Sequence, residues 1–236
     1  MTTTKKKTAK ATSKRTSKGT SKKTGRRNFP NLTLLNHPVL EHKLTRLRDE
    51  NTKPADFRRS LNEMSGLIAY EATRQLASKA VQINTPLEEM KSPVIADRLL
   101  LVPVLRAGSG MLDGILQVLP FARVGHIGIY RDKLLHATVE YYLRIPKDVT
   151  QDHVLLLDPL CATGDTAVAA IKRLKTYGVG QISILSVLAA PAGVARVLEE
   201  FPEVKIFTVS LERELNERGY ILPGLGDAGD RLFDTL

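Results

Sequence analysis

The residues best suited to chemistry lie in segment 153–166, HVLLLDPLCATGDT. Its apolar run is followed directly by Asp158 and then by a short loop with Gly164, and a helix can begin at Asp165 or Thr166. A strand that is followed by a small-residue loop and the start of a helix can form an anion-binding site. The N–H groups of the loop and the positive end of the helix then point at the same bound anion. The Asp158 carboxylate can accept hydrogen bonds from sugar hydroxyls. The segment therefore predicts a site for phosphate and sugar.

Two arginines also follow apolar runs. Arg106 comes directly after LLLVPVL, and Arg131 comes directly after VGHIGIY. Ligands of parallel α/β sheets bind beyond the carboxyl ends of the strands, so we expect both arginines and Asp158 around one crevice. Arginine suits bidentate contact with phosphate oxygens. A surface ion pair is the alternative interpretation for each arginine.

The elements that position these residues alternate between strand and helix. Crossovers of about twenty residues favour an α/β fold with a twisted parallel sheet, wound right-handedly and flanked by helices on both faces. The predicted strands are 99–105, 124–130, 136–144, 154–157, 182–188 and 204–209. The predicted helices are 37–50, 54–78, 111–119, one from 165 or 166 that stops at Gly178, and 193–200. Residues predicted to face inward on the first two helices include Val39, Leu40, Leu67 and Leu76.

The positive charge is concentrated at the amino terminus. The net charge is +10 over 236 residues, but residues 1–27 hold eleven Lys and Arg and no Asp or Glu, so the other 209 residues carry 24 basic and 25 acidic ones. We expect segment 1–28 to be a disordered basic tail and 29–236 to be one domain. Residues 1–27 either keep the protein in solution or contact a polyanion. Cleavage of the tail after import into an organelle is the less favoured alternative.

The composition also bears on location. A secretory signal and a membrane span are both missing from the sequence, so no membrane partner is expected. The lone Cys161 excludes an internal disulfide and suits a cytoplasmic protein.

Other ligand motifs fit less well. The P-loop pattern GxxxxGK[ST] does not occur. Gly108, Gly110 and Gly114 follow an apolar run, and Asp132 lies where a ribose-binding acid would be expected, but the spacing differs by one residue from the dinucleotide fingerprint. The five histidines have no metal-ligand spacing, so we predict no metal held by the protein alone.

The C-terminal segment 219–231, GYILPGLGDAGDR, is predicted to be neither helix nor strand. Its four glycines indicate exposed backbone and several turns with positive φ. The interleaved apolar residues are expected to wall a small flat pocket; they are Ile221, Leu222, Leu225 and Ala228.

These motifs together resemble the uracil phosphoribosyltransferases. DPLCATGDT at 158–166 is similar to their phosphoribosyl-diphosphate (PRPP) loop, and PVLRAGSGM at 103–111, Tyr130-Arg131 and segment 219–231 match other family motifs in the same order. The resemblance covers about residues 31–236, and the C-terminal segment is the part that indicates uracil. It implies a phosphoribosyltransferase type I fold, with a C-terminal hood that binds the base and a β-arm, so that 29–236 would be the catalytic domain.

The resemblance implies pyrimidine salvage, in which the phosphoribosyl group of PRPP passes to uracil and gives UMP and diphosphate. Arg106 and Arg131 would bind the diphosphate, Asp158 would accept the ribose hydroxyls, and Asp227 would act near PRPP and its magnesium ion. Magnesium would be bound mainly through PRPP oxygens and water. The implied PRPP-binding residues are these four together with Pro159, Leu160, Cys161, Ala162, Thr163, Gly164, Asp165 and Thr166.

The resemblance implies that uracil is read by the main chain of Ile221, Gly226, Asp227 and Ala228. Uracil presents a hydrogen-bond donor at N3 between two carbonyl acceptors. In cytosine, part of this pattern of donors and acceptors is reversed. A fixed backbone donor that faces a donor costs about 1–3 kcal/mol, so cytosine is predicted to be a poor substrate.

From the resemblance we also expect a homo-oligomer, either a dimer or a tetramer. The resemblance further implies that GTP is a candidate effector. We interpret segment 136–144, whose residues alternate, as a dimerisation arm or a lid. The alternative function is a PRPP-sensing, RNA-binding regulator of pyrimidine metabolism whose basic tail contacts RNA. The C-terminal segment and the Asp158-Pro159 pair favour the enzyme.

Two residues depart from the family pattern. Asp165 stands where a glycine or a small polar residue is usual. We interpret it as a helix N-cap that turns away from the anion, with weakened PRPP binding as the alternative. Cys161 replaces an aliphatic residue, and we expect it to pack as a small hydrophobe and not to act as a catalytic thiol.

Overall fold

The computed structural model describes residues 1–2, 29–132 and 137–235, without the side chains of residues 131, 132 and 137. Most of the predicted tail, including the stretch proposed to contact a polyanion, therefore lies outside the described residues. Among the helices that are described, none is both long and apolar enough to cross a membrane.

The helices and strands follow one another in the α/β order that the sequence predicts. The helices are α1 (Pro38–Arg48), α2 (Pro54–Ala72), α3 (Ser109–Val118), α4 (Asp165–Lys175), α5 (Pro191–Glu200) and α6 (Ala228–Phe233). The strands are β1 (Leu32–Leu34), β2 (Ser78–Asn84), β3 (Glu89–Ile95), β4 (Arg98–Leu105), β5 (Arg123–Val124), β6 (His126–Asp132), β7 (Ala137–Arg144), β8 (Asp152–Leu157), β9 (Leu160–Cys161), β10 (Gln181–Ala189), β11 (Lys205–Leu211), β12 (Glu214–Leu215) and β13 (Ile221–Leu222).

The central sheet has the order β1-β11-β10-β8-β4-β6-β7, and all of these neighbours are parallel except β6 and β7. Successive residues of its central strands enter opposite cores. Leu155 packs with α1, α2 and α3 on one face, whereas Leu156 packs with α4 and α5 on the other. The predicted parallel sheet with helices on both faces is therefore confirmed.

A hairpin replaces the end of the predicted second helix. The helix ends at Ala72 and not near residue 78, and β2 and β3 pair antiparallel after it. Almost every residue of both strands is exposed, so the strands lack the alternation of buried and exposed positions by which a strand is recognised. Val39 and Leu67 were also predicted to face inward, but they are 44% and 38% exposed.

The predicted strand at 136–144 is present as β7, and His136 lies outside the described residues. Its pairing with β6 shifts register, because Gly128 pairs with Tyr142 and Ile129 pairs with Glu140. Tyr141 is therefore an extra residue in a β-bulge, which breaks the predicted alternation of faces. A Cβ atom at Gly128 would lie 2.6 Å from the Tyr141 ring, so the bulge packs closely on the glycine.

The prediction that segment 219–231 contains neither helix nor strand is wrong. Strand β13 pairs with β12, and α6 begins after Asp227, whose carboxylate accepts a hydrogen bond of 3.0 Å from the Asp230 N–H. The expected turns are present, because Gly219, Gly224 and Gly226 all have positive φ. Short elements fit between these turns, and the cap at Asp227 was the sequence signal that could have revealed α6.

Candidate active site

The loop between β8 and α4 forms a small cavity with both polar and apolar lining residues. Its volume is about 70 Å³, the scale of a phosphate group. The first turn of α4 contributes to the walls, and the N–H groups of a first turn have no acceptor within their helix, so the positive helix end faces the cavity. The lining residues are Asp158, Leu160, Cys161, Ala162, Thr163, Gly164, Thr166, Ala167, Ile184 and Ser186.

Gly164 gives the loop its shape. It occupies the N-cap position of α4 with a φ of 83°. A Cβ atom at this position would lie 2.7 Å from the carbonyl oxygen of Gly193, at the start of α5. Both the backbone conformation and the close contact with α5 therefore require glycine.

Asp158 lies at the carboxyl end of β8, where the sequence predicts it. Its carboxylate accepts a hydrogen bond of 3.2 Å from the Leu160 N–H, and its carbonyl oxygen accepts one of 2.6 Å from the Ser186 hydroxyl. Burial raises the pKa of the Asp158 carboxyl and the charge of Asp227 adds to the rise, whereas the hydrogen bond from the Leu160 N–H lowers it; together they bring this pKa to about 6. Asp158 can therefore gain or lose a proton near neutral pH.

Arg106 joins the C-terminal helix to the edge of the sheet. It follows β4 through a cis peptide bond, and its guanidinium lies 3.1 Å from the Asp230 carboxylate and 3.3 Å from the Thr235 hydroxyl. The same group lies 5.7 Å from the centre of the Phe233 ring, a cation–π contact. The sequence analysis missed Asp230, whose place in the first turn of α6 was not recognised.

Arg106 and Asp227 approach each other across Gly229. A Cβ atom at Gly229 would lie 3.3 Å from Asp227 Oδ1 and 3.6 Å from Arg106 Nη2. Because the charge of Asp227 also raises the pKa of Asp158, three of the four predicted catalytic residues lie around one edge of the sheet.

Arg131, the fourth predicted residue, lies within strand β6 and not directly after it. The strand continues to Asp132, two residues beyond the predicted end, because β7 pairs with it over that stretch. The side chain of Arg131 lies outside the described residues, so its place at the crevice stays a prediction.

The N-cap interpretation of Asp165 is wrong. Gly164 takes the cap position with its positive φ, and Asp165 is the first residue of α4. The Asp165 carboxylate lies 3.8 Å from Arg196 Nε on α5. This ion pair offsets the negative charge next to the cavity, and the sequence analysis did not identify Arg196 as the partner.

Cys161 is buried in the core, as the sequence predicts. Burial and, to a smaller extent, the neighbouring Asp158 carboxylate raise the pKa of its thiol to about 12. The thiolate form, which is the nucleophile, is therefore suppressed at neutral pH.

The residues predicted to contact uracil lie on β13 and at the start of α6. Ile221 and Ala228 are buried together with Leu225 in the core that lies under α2. Their side chains therefore anchor the segment, Leu222 is half-buried, and the predicted flat pocket beside them stays a prediction. Gly226 is exposed with a φ of 82°, and Asp227 caps α6.

A larger cavity of about 310 Å³ lies at the opposite edge of the sheet. Its lining includes His153, at the amino end of β8, and Lys205, at the amino end of β11. Ligands of parallel sheets bind at the carboxyl ends of strands, and the Arg74 guanidinium in this cavity is already paired with Glu71 at 2.7 Å. We therefore place the candidate site at the Asp158 loop.

The chain is similar to known proteins over most of its length. The family model described as "Uracil phosphoribosyltransferase" matches residues 34–235. Proteins named uracil phosphoribosyltransferase from Bacillus cereus (strain B4264) and Bacillus anthracis (strain A0248) are each 48% identical over 205 residues, which is 86% of this chain and 98% of each relative. The structure of the AQ2163 protein from Aquifex aeolicus superposes with a TM-score of 0.83 and 34% identity, over 86% of this chain and 98% of that one.

These matches support the enzyme interpretation and give no support to the RNA-binding regulator. They extend over both the Asp158 loop and segment 219–231, the two parts on which the resemblance depends. The chain belongs to the uracil phosphoribosyltransferase family.

Proposed function

We propose that the protein transfers the phosphoribosyl group of PRPP to uracil and releases UMP and diphosphate, as a pyrimidine-salvage enzyme. One observation carries this proposal: the cavity at the start of α4, the Asp158 carboxylate and the Arg106 guanidinium lie at the same edge of the sheet. Phosphate, sugar and diphosphate are the three parts of PRPP that such groups would hold.

In this reaction the bond between C1 and the diphosphate oxygen breaks, and the diphosphate leaves with the electron pair. Uracil N1 forms the new bond to C1, and the N1 proton is released to solvent. The sugar carries positive charge in the transition state. Catalysis therefore depends on positioning the reactants and stabilising this charge, and it needs no covalent intermediate. The loop amides would hold the 5-phosphate and Asp158 the ribose hydroxyls, while Arg106 and Arg131 would bind the diphosphate.

A magnesium ion fits this site when most of its ligands come from the substrate. Within the described part of the chain, no group of three or more His, Cys, Asp or Glu residues is arranged to hold a metal. The neighbouring carboxylates of Asp158 and Asp227 match the one or two that Mg²⁺ commonly takes from a protein. Magnesium bound to PRPP would neutralise part of the charge on the departing diphosphate.

Base selectivity tests the proposed substrate. With PRPP and magnesium, we expect radiolabelled uracil to give UMP, and kcat/KM for cytosine to be about 10- to 100-fold lower because one main-chain donor would face the cytosine amino group. Ile221, Gly226, Asp227 and Ala228 supply the proposed main-chain contacts. Comparable turnover of both bases would contradict the proposed recognition of uracil by main-chain groups. Failure to form UMP would contradict the proposed function.

The pKa of Asp158 predicts a loss of activity in acid. With a pKa of about 6, the carboxyl is increasingly protonated as the pH falls below that value. The neutral carboxyl is a weaker acceptor than the carboxylate, and its O–H becomes a donor, so it holds the ribose hydroxyls less well. We expect kcat/KM for PRPP to fall about tenfold per pH unit below pH 6.

Asp158→Asn is the control for this pH profile, because PRPP itself also titrates. The variant should be slower at every pH and should retain only the part of the profile that PRPP causes. If both proteins showed the same acid limb, Asp158 would not be the titrating group.

We propose a homo-oligomer, dimer or tetramer, as the assembled form. The β2–β3 hairpin supports it, because the exposed apolar side chains on this hairpin form a surface suited to contact with a second copy. Sedimentation of Leu87→Ser and Val94→Ser variants tests the proposal. The exposed apolar residues are Ile83, Leu87, Met90, Val94 and Ile95.

Three further proposals come from the resemblance and the composition. GTP as an effector is tested by UMP formation with and without it. Polyanion contact through residues 1–27 is tested by RNA binding across salt concentrations, with a chain that begins at residue 28 as the control. A cytoplasmic location, suggested by the lone Cys161, is tested by cell fractionation.

A further inference from the structure

A buried ion pair lies beside the segment that is proposed to read uracil. Arg48, the last residue of α1, donates to both carboxylate oxygens of Glu212, at 2.6 and 2.8 Å. The Glu212 side chain is only 2% exposed. Burying a charge costs free energy unless the charge is fully hydrogen-bonded. We therefore asked which groups, besides each other, the two side chains of this ion pair contact.

The ion pair holds one peptide unit on each side of Gly224. Glu212 Oε2 accepts from the Gly224 N–H at 3.2 Å, and Arg48 Nη1 donates to the Gly224 carbonyl at 2.9 Å. Gly224 has a φ of 66°, and a Cβ atom there would lie 2.1 Å from the Ile221 carbonyl oxygen. The turn is therefore tight, and its two polar groups are held by the same pair of side chains.

The Glu212 carboxylate is kept ionised in this position. Burial alone would raise its pKa, but hydrogen bonds from Arg48, from the Ser210 hydroxyl at 2.6 Å and from the Gly224 N–H together lower it below its usual value. Each carboxylate oxygen accepts from two donors, one of which is Arg48 in both cases. An amide in place of the carboxylate would direct its NH₂ group at two donors in either orientation.

We propose that Arg48 and Glu212 are positioning residues for the nucleobase. Gly224 lies between Ile221 and the stretch 226–228, which are the two parts of the main chain proposed to read uracil. By fixing the Gly224 turn, the ion pair sets the direction of the peptide groups on both sides of it. This inference rests on the proposed function and adds two residues that act through the backbone and not by contact with PRPP.

A second arginine keeps the segment docked when the ion pair is altered. The Arg231 guanidinium donates to the Leu225 carbonyl at 2.8 Å and to the Asp49 carbonyl at 2.6 Å, and it lies 4.6 Å from the centre of the Phe57 ring. We therefore expect a change at Glu212 to loosen the Gly224 turn without releasing α6.

Steady-state kinetics of Glu212→Gln and Arg48→Lys test the inference. We expect KM for uracil to rise about 10- to 100-fold in Glu212→Gln, because a small misplacement of binding groups has effects of that size. Arg48→Lys keeps the charge but loses the bidentate geometry, so its effect should be smaller. KM for PRPP should stay at the wild-type value in both variants.

The chain offers a matched control at the other edge of the sheet. Asp152 is also a buried carboxylate held by two arginines, Arg98 at 3.1 Å and Arg123. Asp152→Asn should lower the melting temperature, as Glu212→Gln does, but leave KM for uracil unchanged. Equal rises in the two KM values of Glu212→Gln, or a rise in KM for uracil in Asp152→Asn, would show a merely structural role.

Amide hydrogen exchange supplies a readout that does not require turnover. In Glu212→Gln we expect faster exchange over 221–228 and unchanged exchange over 158–166. Unchanged exchange over 221–228 would overturn the inference even if the wild-type protein formed no UMP. An inactive wild-type protein with the expected exchange pattern would contradict the proposed function, while the ion pair would still be shown to fix the Gly224 turn.

Discussion

Arg106→Ala should lower kcat/KM for UMP formation by about 10²- to 10³-fold, the usual cost of removing one group that stabilises developing charge. In the proposed function this guanidinium, which lies near Asp227, binds the departing diphosphate. The multiply charged diphosphate should attract the Arg106 guanidinium away from the single carboxylate of Asp230. The Arg106–Asp230 ion pair is 3.1 Å long, and the Arg106 side chain is more than half exposed, so the ion pair can exchange. Initial rates at varied PRPP concentration measure the effect.

Arg173→Ala is the matched control for this change. Like Arg106, Arg173 pairs with a carboxylate, Glu140 at 3.0 Å, and lies over an aromatic ring, that of Tyr177 at 5.1 Å. It lies in the last turn of α4, the end opposite the phosphate cavity. We expect its loss to leave UMP formation unchanged. Wild-type rates in Arg106→Ala would refute the proposed binding of diphosphate at this residue.

Gly164→Ala should weaken PRPP binding by about 100-fold, because its effect reaches the phosphate cavity directly. An alanine would strain the backbone at φ 83° and would place its Cβ 2.7 Å from the Gly193 carbonyl, so the loop or α5 must move. Either movement displaces the amides that are proposed to hold the 5-phosphate. Calorimetric titration with PRPP and magnesium measures the affinity.

Gly178→Ala separates backbone strain from damage to the cavity. Gly178 follows the other end of α4 with a φ of 80°, and its nearest neighbour would be a methyl group of Thr150 at 3.0 Å. We expect a loss of stability of about 1–2 kcal/mol from the left-handed conformation, with PRPP affinity unchanged. If Gly164→Ala bound PRPP as tightly as Gly178→Ala, the loop would not be the phosphate site.

The patterns along the chain were sufficient to predict the parallel sheet and the loop that joins β8 to α4. An apolar strand, a small-residue loop with Gly164 and an amphipathic helix are each local features, and their periodicity indicates the backbone geometry directly. The burial of Cys161 could be predicted for the same reason, since it belongs to a short apolar stretch of that loop.

Prediction failed where a residue's environment depends on distant parts of the chain. The β2–β3 hairpin has no buried face from which its periodicity could be recognised. Asp165 was predicted to cap α4, but the positive φ of Gly164 and the Arg196 side chain on α5 determine its role. Neither the exposure of a strand nor the partner of a charge is encoded in local spacing.

The amino-acid sequence by itself thus indicated the candidate chemistry of the site: an aspartate and two arginines that follow apolar runs, a small-residue loop suited to phosphate and a glycine-rich segment near the C-terminus. Only the tertiary structure decided which groups meet, such as Arg106 with Asp230 and the buried pair of Arg48 and Glu212, which are 164 positions apart. The physical reason is that periodicity specifies backbone geometry over a few residues, whereas the cost of burying a charge is offset only by partners that folding brings together.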